Sequence, residues 1–353
     1  MRVLKYPYCL VSDLHCHSWS AFSKVNPDGV NSRLQIILDE AKRAADTLLA
    51  AGGDTIIEAG DLFHVRGSVQ PSVFNPTFAA FREIASKLDV HALPGNHDLE
   101  GKDASSIGNA MQGLGSIKGF NVCITPTLVG DVWVFPWFQN LNDLRTALRN
   151  HADKTKDAVI HAPVNGVIKG IPDHGLEASE LAAMGYRRVF AGHYHNHVVF
   201  EDGKVVSIGA TTHQTWSDPG SKAGFLLVYE DRIEHVPSEA PKFVDLSPEA
   251  LDAAEANGTD IEEIVRGSYV RLKLNDVTDK EVTAWRKDIE DAGAAGCIIL
   301  STKKTAVSRS GAVQQATASL ASSVEAYVIH DLKPLLTLEV SKEAQDVLSE
   351  AMQ

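Results

Sequence analysis

Five short blocks of imidazole, carboxylate and amide side chains follow apolar runs in this chain. They are Asp13-Leu-His15, Gly60-Asp61-Leu-Phe-His64, Gly95-Asn96-His97-Asp98, a lone His161, and Gly192-His193-Tyr-His195. The pairing of apolar run with polar block constrains the fold more than any other feature. The runs read as buried strands, and an open α/β sheet collects its ligands beyond the carboxyl ends of its strands.

The residue types define a chemistry. Hydrolysing a phosphate ester needs a nucleophile at neutral pH and a counter-charge for the phosphoryl oxygens, and two divalent ions about 3.5–4 Å apart supply both. Holding two cations that close requires a bridging anion, for which Asp61 is the candidate. Mixed imidazole, carboxylate and amide ligands suit manganese first, with iron or zinc as alternatives and magnesium as a further one; an all-oxygen set would point to magnesium or calcium.

The coarse structure reads as repeating units. Tyr8–Ser12 is a short strand that delivers Asp13 and His15, two residues apart and so on one face of extended chain. Leu34, Ile37, Leu38, Ala41, Ala45, Leu48 and Leu49 have helical spacing over 33–51, ended by Gly52-Gly53. Strand 55–59 then leads to Asp61, and a helix near 75–87 with strand 90–93 leads to Asn96. Strands are expected at 132–135, 158–160, 188–191, 205–208 and 225–229, with a helix at 176–184. The predicted class is α/β, two sheets flanked by helices, with a domain end between Pro237 and Pro241.

Composition sets outer bounds. The chain has 353 residues, enough for one large and one smaller domain. No apolar run approaches membrane-spanning length and the first residues lack a signal-peptide core, so a cytoplasmic protein without membrane attachment is expected. Cys9, Cys16, Cys123 and Cys297 are widely spaced, which suggests reduced thiols and no zinc ribbon. All histidines except His235 and His330 lie at or before His213, in the part that holds the motifs. The net charge of −13 argues against binding nucleic acid by bulk electrostatics. Bound divalent ions would reverse the local field at the site, and a partner subunit would add phosphate contacts.

The order D-x-H, G-D-x-x-H, G-N-H-D, H, G-H-x-H resembles the calcineurin-like metallophosphoesterases. The His64 that closes the second block resembles their DNA-nuclease branch, which contains SbcD and the meiotic-recombination-eleven nuclease. The motifs carry this resemblance over roughly residues 8–230, through the loop Ile208 to Phe225; beyond that it rests on architecture. It implies one metal held by Asp13, His15, Asp61 and His195, and a second by Asp61, Asn96, His161 and His193. His97 would face the scissile phosphate, stabilising the transition state or protonating the leaving oxygen, with Asp98 orienting it. His64 would help place the phosphate. The expected activity is a two-metal DNA exonuclease or endonuclease of repair or recombination, similar in its compact cap and tail to bacteriophage members, which would place it in a host cytoplasm. A phosphatase or small-molecule phosphodiesterase on the same centre, or a mainly structural partner of an ATPase, are the alternatives.

Several positions stay open. His17 is either a substrate- or metal-facing imidazole or an ordinary loop histidine. Trp19 and Phe22 either stack on a splayed base or pack in the core. Arg66 is either a phosphate contact or a solvated loop arginine. Residues 1–240 are read as the metallophosphoesterase domain and 241–304 as a β-α-β capping domain, with strand 269–274, helix 279–292 and strand 296–300. A Ser, Ala, Thr and Gln-rich linker at 305–319 precedes C-terminal helices at 320–353, where Leu320, Val324, Tyr327, Val328 and Leu332 share a face. By resemblance that face grips the coiled coil of an SbcC-type ATPase; otherwise it packs on its own domain or forms a homodimer.

Overall fold

Period-two alternation along the strands builds four layers. The computed structural model describes residues 4–64, 66–101, 108–170, 172 and 174–303, and these form one compact unit. The expected linker and C-terminal helices lie outside the described residues. Strand β1 (Tyr8–Val11) runs parallel to β2 (Thr55–Glu58), which runs parallel to β3 (Asp89–Ala92) and then β4 (Phe120–Val122). Cys9, Val11 and Ile56 point to helices α1 (Ser32–Ala50) and α2 (Pro71–Lys87), while Tyr8, Leu10 and Ile57 point into the space between the sheets. Helix α1 starts where Asn31 accepts hydrogen bonds from the Arg33 and Leu34 amides.

The second sheet comprises β5 (Thr127–Val129), β6 (Val132–Phe135), β7 (Asp157–His161), β8 (Arg188–Gly192), β9 (Val198–Phe200) and β10 (Val205–Ser207). Its order is β5-β6-β7-β8-β10-β9, with the four inner strands parallel and both edges antiparallel. Val134, Val159, Phe190 and Val206 face the first sheet; Phe135, Ile160 and Val189 face α3 (Leu141–Asn150) and α4 (Ala178–Ala183). The chain then returns to the first sheet through β11 (Gly224–Val228), antiparallel to β1, and β12 (Ile233–Pro237). This is the two-sheet, helix-covered sandwich that the sequence predicts. Helix α3 was not anticipated, although Leu141, Leu144, Ala147 and Leu148 form one face of it. Helix α2 begins four residues before the predicted start and carries Pro76 inside it.

At one end the sheets are tied by a buried ion network. Asp157, at the start of β7, is fully buried and accepts bonds from the Tyr8 hydroxyl at 2.7 Å, from Arg187 at 2.9 Å and from Arg188 at 2.8 Å. The opposite end carries all five polar blocks at carboxyl ends of parallel strands: β1, β2 and β3 of one sheet, β7 and β8 of the other.

A third sheet follows, β13 (Phe243–Leu246), β14 (Tyr269–Val277) and β15 (Gly296–Lys303), all parallel. Helix α5 (Pro248–Ala256) and α6 (Ile261–Val265) precede β14, and α7 (Asp279–Asp291) starts at a capping box made by Thr278 and Glu281. The sequence reading had only the unit β14-α7-β15. Phe22 stacks on Tyr269 of this cap at 4.6 Å and 4°. A Cβ on Gly296 would lie 2.4 Å from the Phe22 ring, so this glycine permits the close approach.

Candidate metal centre

Four of the residues in the polar blocks have left-handed backbone: Asp13 at φ 51°, His15 at 45°, Asp61 at 59° and His193 at 104°. Strain of this kind persists only where the surroundings enforce it. Here hydrogen bonds from the Asp13 amide to the Gly60 carbonyl and from the His15 amide to the Asp61 carbonyl lock the first two turns together. Gly60 lies against His161, and a Cβ on Gly95 would be 2.2 Å from Asp61 Oδ1, so both glycines make room for ligands.

The side chains form two sets that share Asp61. Asp13, His15 and His195 place donor atoms within 4.8 Å of one another, as do Asp61, His161 and His193. Asp61 Oδ2 lies 3.8 Å from His15 Nε2 and 3.4 Å from His161 Nε2, between the two sets. Asn96 Oδ1 completes the second set, 2.9 Å from His193 Nδ1 and 3.3 Å from His161 Nε2.

Hydrogen bonding fixes which atoms carry lone pairs. His161 Nδ1 donates to the Ala59 carbonyl at 2.8 Å, so its Nε2 turns a lone pair toward Asn96 Oδ1 and Asp61 Oδ2, both acceptors. His195 Nδ1 donates to Asp218 Oδ1 at 2.8 Å, turning its Nε2 toward His15 Nε2 at 3.2 Å. Asp13 Oδ2 is saturated by Ser12 and the His193 amide, while Asp13 Oδ1 is buried with no hydrogen-bond partner. Acceptors facing acceptors in a buried site require a cation or a proton between them. The residues therefore fit two divalent ions, with Asp218 and the Ala59 carbonyl orienting the imidazoles from behind.

The titration behaviour of the protein groups agrees. Burial alone would raise the Asp61 carboxyl, but His161, His15 and His97 outweigh it and hold Asp61 well below the usual range. Burial would lower His161, yet Asp61 pushes it up to about 9, so that without a metal a proton meets the same demand. Burial, then His161, brings His193 down to about 3, and burial drives His15 far below its ordinary value. Both are neutral at pH 7, the form that ligates.

The imidazoles of His64 and His97 border the first set. Their rings are 5.4 Å apart at 14°, and His64 Nδ1 is 3.3 Å from His15 Nδ1. His97 Nδ1 donates to the His64 carbonyl at 2.6 Å, which leaves Nε2 as its free nitrogen. Asp98 departs from expectation. Its carboxylate does not hold the His97 ring; it accepts the backbone amides of Asp61, Phe63 and Gly95 at 2.9 Å each and of Leu62 at 3.3 Å. Burial and the Asp61 charge push it up to about 7. It braces the Asp61 loop against the Asn96 loop.

The open positions now have places. His17 lies with its ring 5.2 Å from His64, and Trp19 lies 4.5 Å from His64 with its indole N–H donating to the His15 carbonyl. Phe22 turns to the cap, and Arg66 is exposed. Sequence reasoning missed Ser12, Asp218 and Trp137, whose ring stands 5.4 Å from His193. Asp218 sits in a loop whose likeness to the family is visible, but nothing in the sequence pairs it with His195; Trp137 gave no signal.

Two metal-ligand sets sharing one carboxylate at the ends of parallel strands define a dimetal hydrolase of phosphate esters. The chain belongs to the calcineurin-like phosphoesterase family, whose sequence model matches residues 6–197. No curated protein matches the sequence. Among solved structures it is similar to Yfce, a phosphoesterase from E. coli, at 15% identity and TM-score 0.35, covering 65% of this chain and 92% of that one. It is also similar to the nuclease MPE of Pseudomonas putida at 18% identity and TM-score 0.29, covering 65% and 87%, and to a dimetal phosphatase from Danio rerio at 12% and 0.38, covering 65% and 95%. At these scores the likeness says nothing about substrate. Among the described residues no helix is long and apolar enough to cross a membrane.

Proposed function

We propose that the chain is a divalent-metal-dependent DNA nuclease that hydrolyses phosphodiester bonds. The observation that carries this reading is the imidazole wall of His64 and His97 beside the shared ligand set, extended by His17 and Trp19. When bound, two divalent ions supply positive charge for the phosphoryl oxygens and acidify water at neutral pH. The chain's own residues supply the rest. Burial, then His97, holds the His64 imidazole down to about 4, so at pH 7 it is a neutral hydrogen-bonding group for a phosphoryl oxygen. As the water oxygen bonds to phosphorus and gives up its proton to solvent, the bond to the leaving oxygen breaks, and His97 in its doubly protonated form, with Nδ1 held on the His64 carbonyl, delivers the Nε2 proton to that oxygen. The Trp19 indole packs partly against the core with the Arg33 guanidinium over its ring at 5.2 Å, and it backs the His64 ring from the protein side.

The same reading makes an SbcC-type ATPase the partner, gripped by residues 320–353, which lie outside the described residues. The nuclease assignment is tested with purified protein and Mn²⁺, Mg²⁺ or Zn²⁺ on end-labelled duplex, single-stranded and hairpin DNA, alongside bis-p-nitrophenyl phosphate. Cleavage of DNA that His64→Ala suppresses is expected. Hydrolysis of the small diester with every DNA left intact refutes the nuclease assignment and leaves a phosphatase or small-molecule phosphodiesterase.

A further inference from the structure

A cleft of 350 Å³ opens where the hairpin of β11 and β12 meets β13, and its charge runs against that of the chain. Lys222 and Lys242 stand on it with His213 and His235, and its lining among the described residues contains no carboxylate. Among the acidic groups around it, Glu40, which accepts from Ser238 at 3.1 Å, and Glu239 are paired with Arg43, and Asp218 is paired with His195. Neither lysine has an ion-pair partner among the described residues. Two exposed lysines lining one cleft without counter-ions, on a protein of net charge −13, make a local positive patch that suits an anion.

The cleft also borders the metal centre across one loop. A second cleft, of 570 Å³, is lined by His193, Tyr194 and His195, and the two share Gly220 and Ser221. The loop between them is fixed from both sides. Asp218 holds the ligand His195 at 2.8 Å, and the Lys222 amide donates to Asn196 Oδ1 at 3.0 Å, one residue past that ligand. On the far side His213 Nε2 donates to the Ser221 carbonyl at 3.1 Å, and His213 Nδ1 accepts the Phe243 amide at 3.0 Å. A rigid loop thus carries Lys222 from the metal centre to the mouth of the basic cleft, while β13 brings Lys242 from the cap.

We propose that this cleft is a phosphate-binding subsite in which Lys222 and Lys242 hold a backbone phosphodiester of the strand whose scissile bond lies at the metal centre. The identity of the ligand rests on the nuclease reading; the pocket's preference for a phosphate oxyanion does not. Lysine serves here as a point charge, so the contact adds affinity without sequence preference.

The test compares Mn²⁺-loaded wild type with Lys222→Ala/Lys242→Ala and with Lys222→Arg/Lys242→Arg, each checked for an unchanged melting temperature and metal content. For an end-labelled oligonucleotide, the alanine variant is expected to raise KM roughly tenfold with kcat held, and to reduce the slope of log KM against log salt by about 1. The arginine variant should restore both. Equal KM and equal salt slope in wild type and alanine variant overturn the proposal. If wild type cuts only bis-p-nitrophenyl phosphate, the nuclease reading fails on its own, and the pocket is decided by calorimetric titration of EDTA-treated protein with inorganic phosphate. Binding by wild type that the alanine variant loses keeps a phosphate site filled from free phosphate; no difference between them overturns the pocket as well.

Discussion

Asp98→Asn separates two accounts of one residue. In the structure Asp98 Oδ2 accepts the amides of Asp61, Leu62 and Gly95, and Oδ1 accepts that of Phe63. Asparagine can keep an oxygen at the first position, but its NH₂ then meets the Phe63 N–H, donor against donor, in a site that is 1% exposed. A stranded buried donor and the bond it loses together cost about 2–4 kcal/mol, a sizeable part of the roughly 5–15 kcal/mol that holds a domain together. Asp98→Ala strands all four donors and is expected to lose more. Because the two braced loops carry Asp61 and Asn96, manganese affinity should fall by about 10–100-fold, the usual consequence of losing a residue that supports ligands. Urea unfolding followed by circular dichroism gives the first number and manganese calorimetry the second. If Asp98→Asn keeps its stability within 0.5 kcal/mol, the usual surface range, keeps its metals, and loses turnover as His97→Ala does, the brace is wrong and Asp98 orients His97 after all.

Three other outcomes follow from the site and its frame. Asp61→Ala should lose both ions, since both sets share that carboxylate; elemental analysis finding full occupancy refutes the bridge. His97→Ala should retain both ions while turnover drops by about 10²–10⁴-fold, and metal loss matching that of Asp61→Ala would mean His97 is itself a ligand. Asp157→Asn leaves Arg188 buried without its counter-charge and should destabilise the sandwich by about 3–5 kcal/mol with metal affinity unchanged, read by urea unfolding and calorimetry. Burial works to raise Asp157, but Arg187 and Arg188 outweigh it and hold it below the ordinary value. Its stabilisation is therefore present above about pH 3.9 and lost as pH falls through the lower folded value, an acid transition that the asparagine variant should lack.

The ligand blocks were legible because each is short and follows a run whose burial is written in its own residues. Strands such as Ala158–Ile160 are apolar on both faces, as strands covered on both sides must be. Helix α3 was legible and was passed over: Leu141, Leu144, Ala147 and Leu148 recur at helical spacing and pack on one side. Edge strands β9 and β12 were missed for another reason: Val199 and Glu234 are exposed and no buried apolar run marks either strand. The role of Asp98 depends on amides of residues 61–63 that lie far away in sequence and meet it only after β2 and β3 pair. Asp218 and His195 are joined the same way, across a loop whose path no local pattern records.

The left-handed turns at Asp13, His15, Asp61 and His193 bear on how this protein would change under selection. Glycine takes such backbone angles without penalty, whereas each of these side chains pays about 1–2 kcal/mol for them. A laboratory lineage selected for thermal endurance alone, in chelator and with no demand for hydrolysis, would be drawn to glycine at the His15 and His193 codons, since the Asp13 and Asp61 carboxylates also accept the amides of His193 and His97. The gain in heat tolerance would arrive together with the loss of the metals, so in this fold hardiness and activity compete for the same positions.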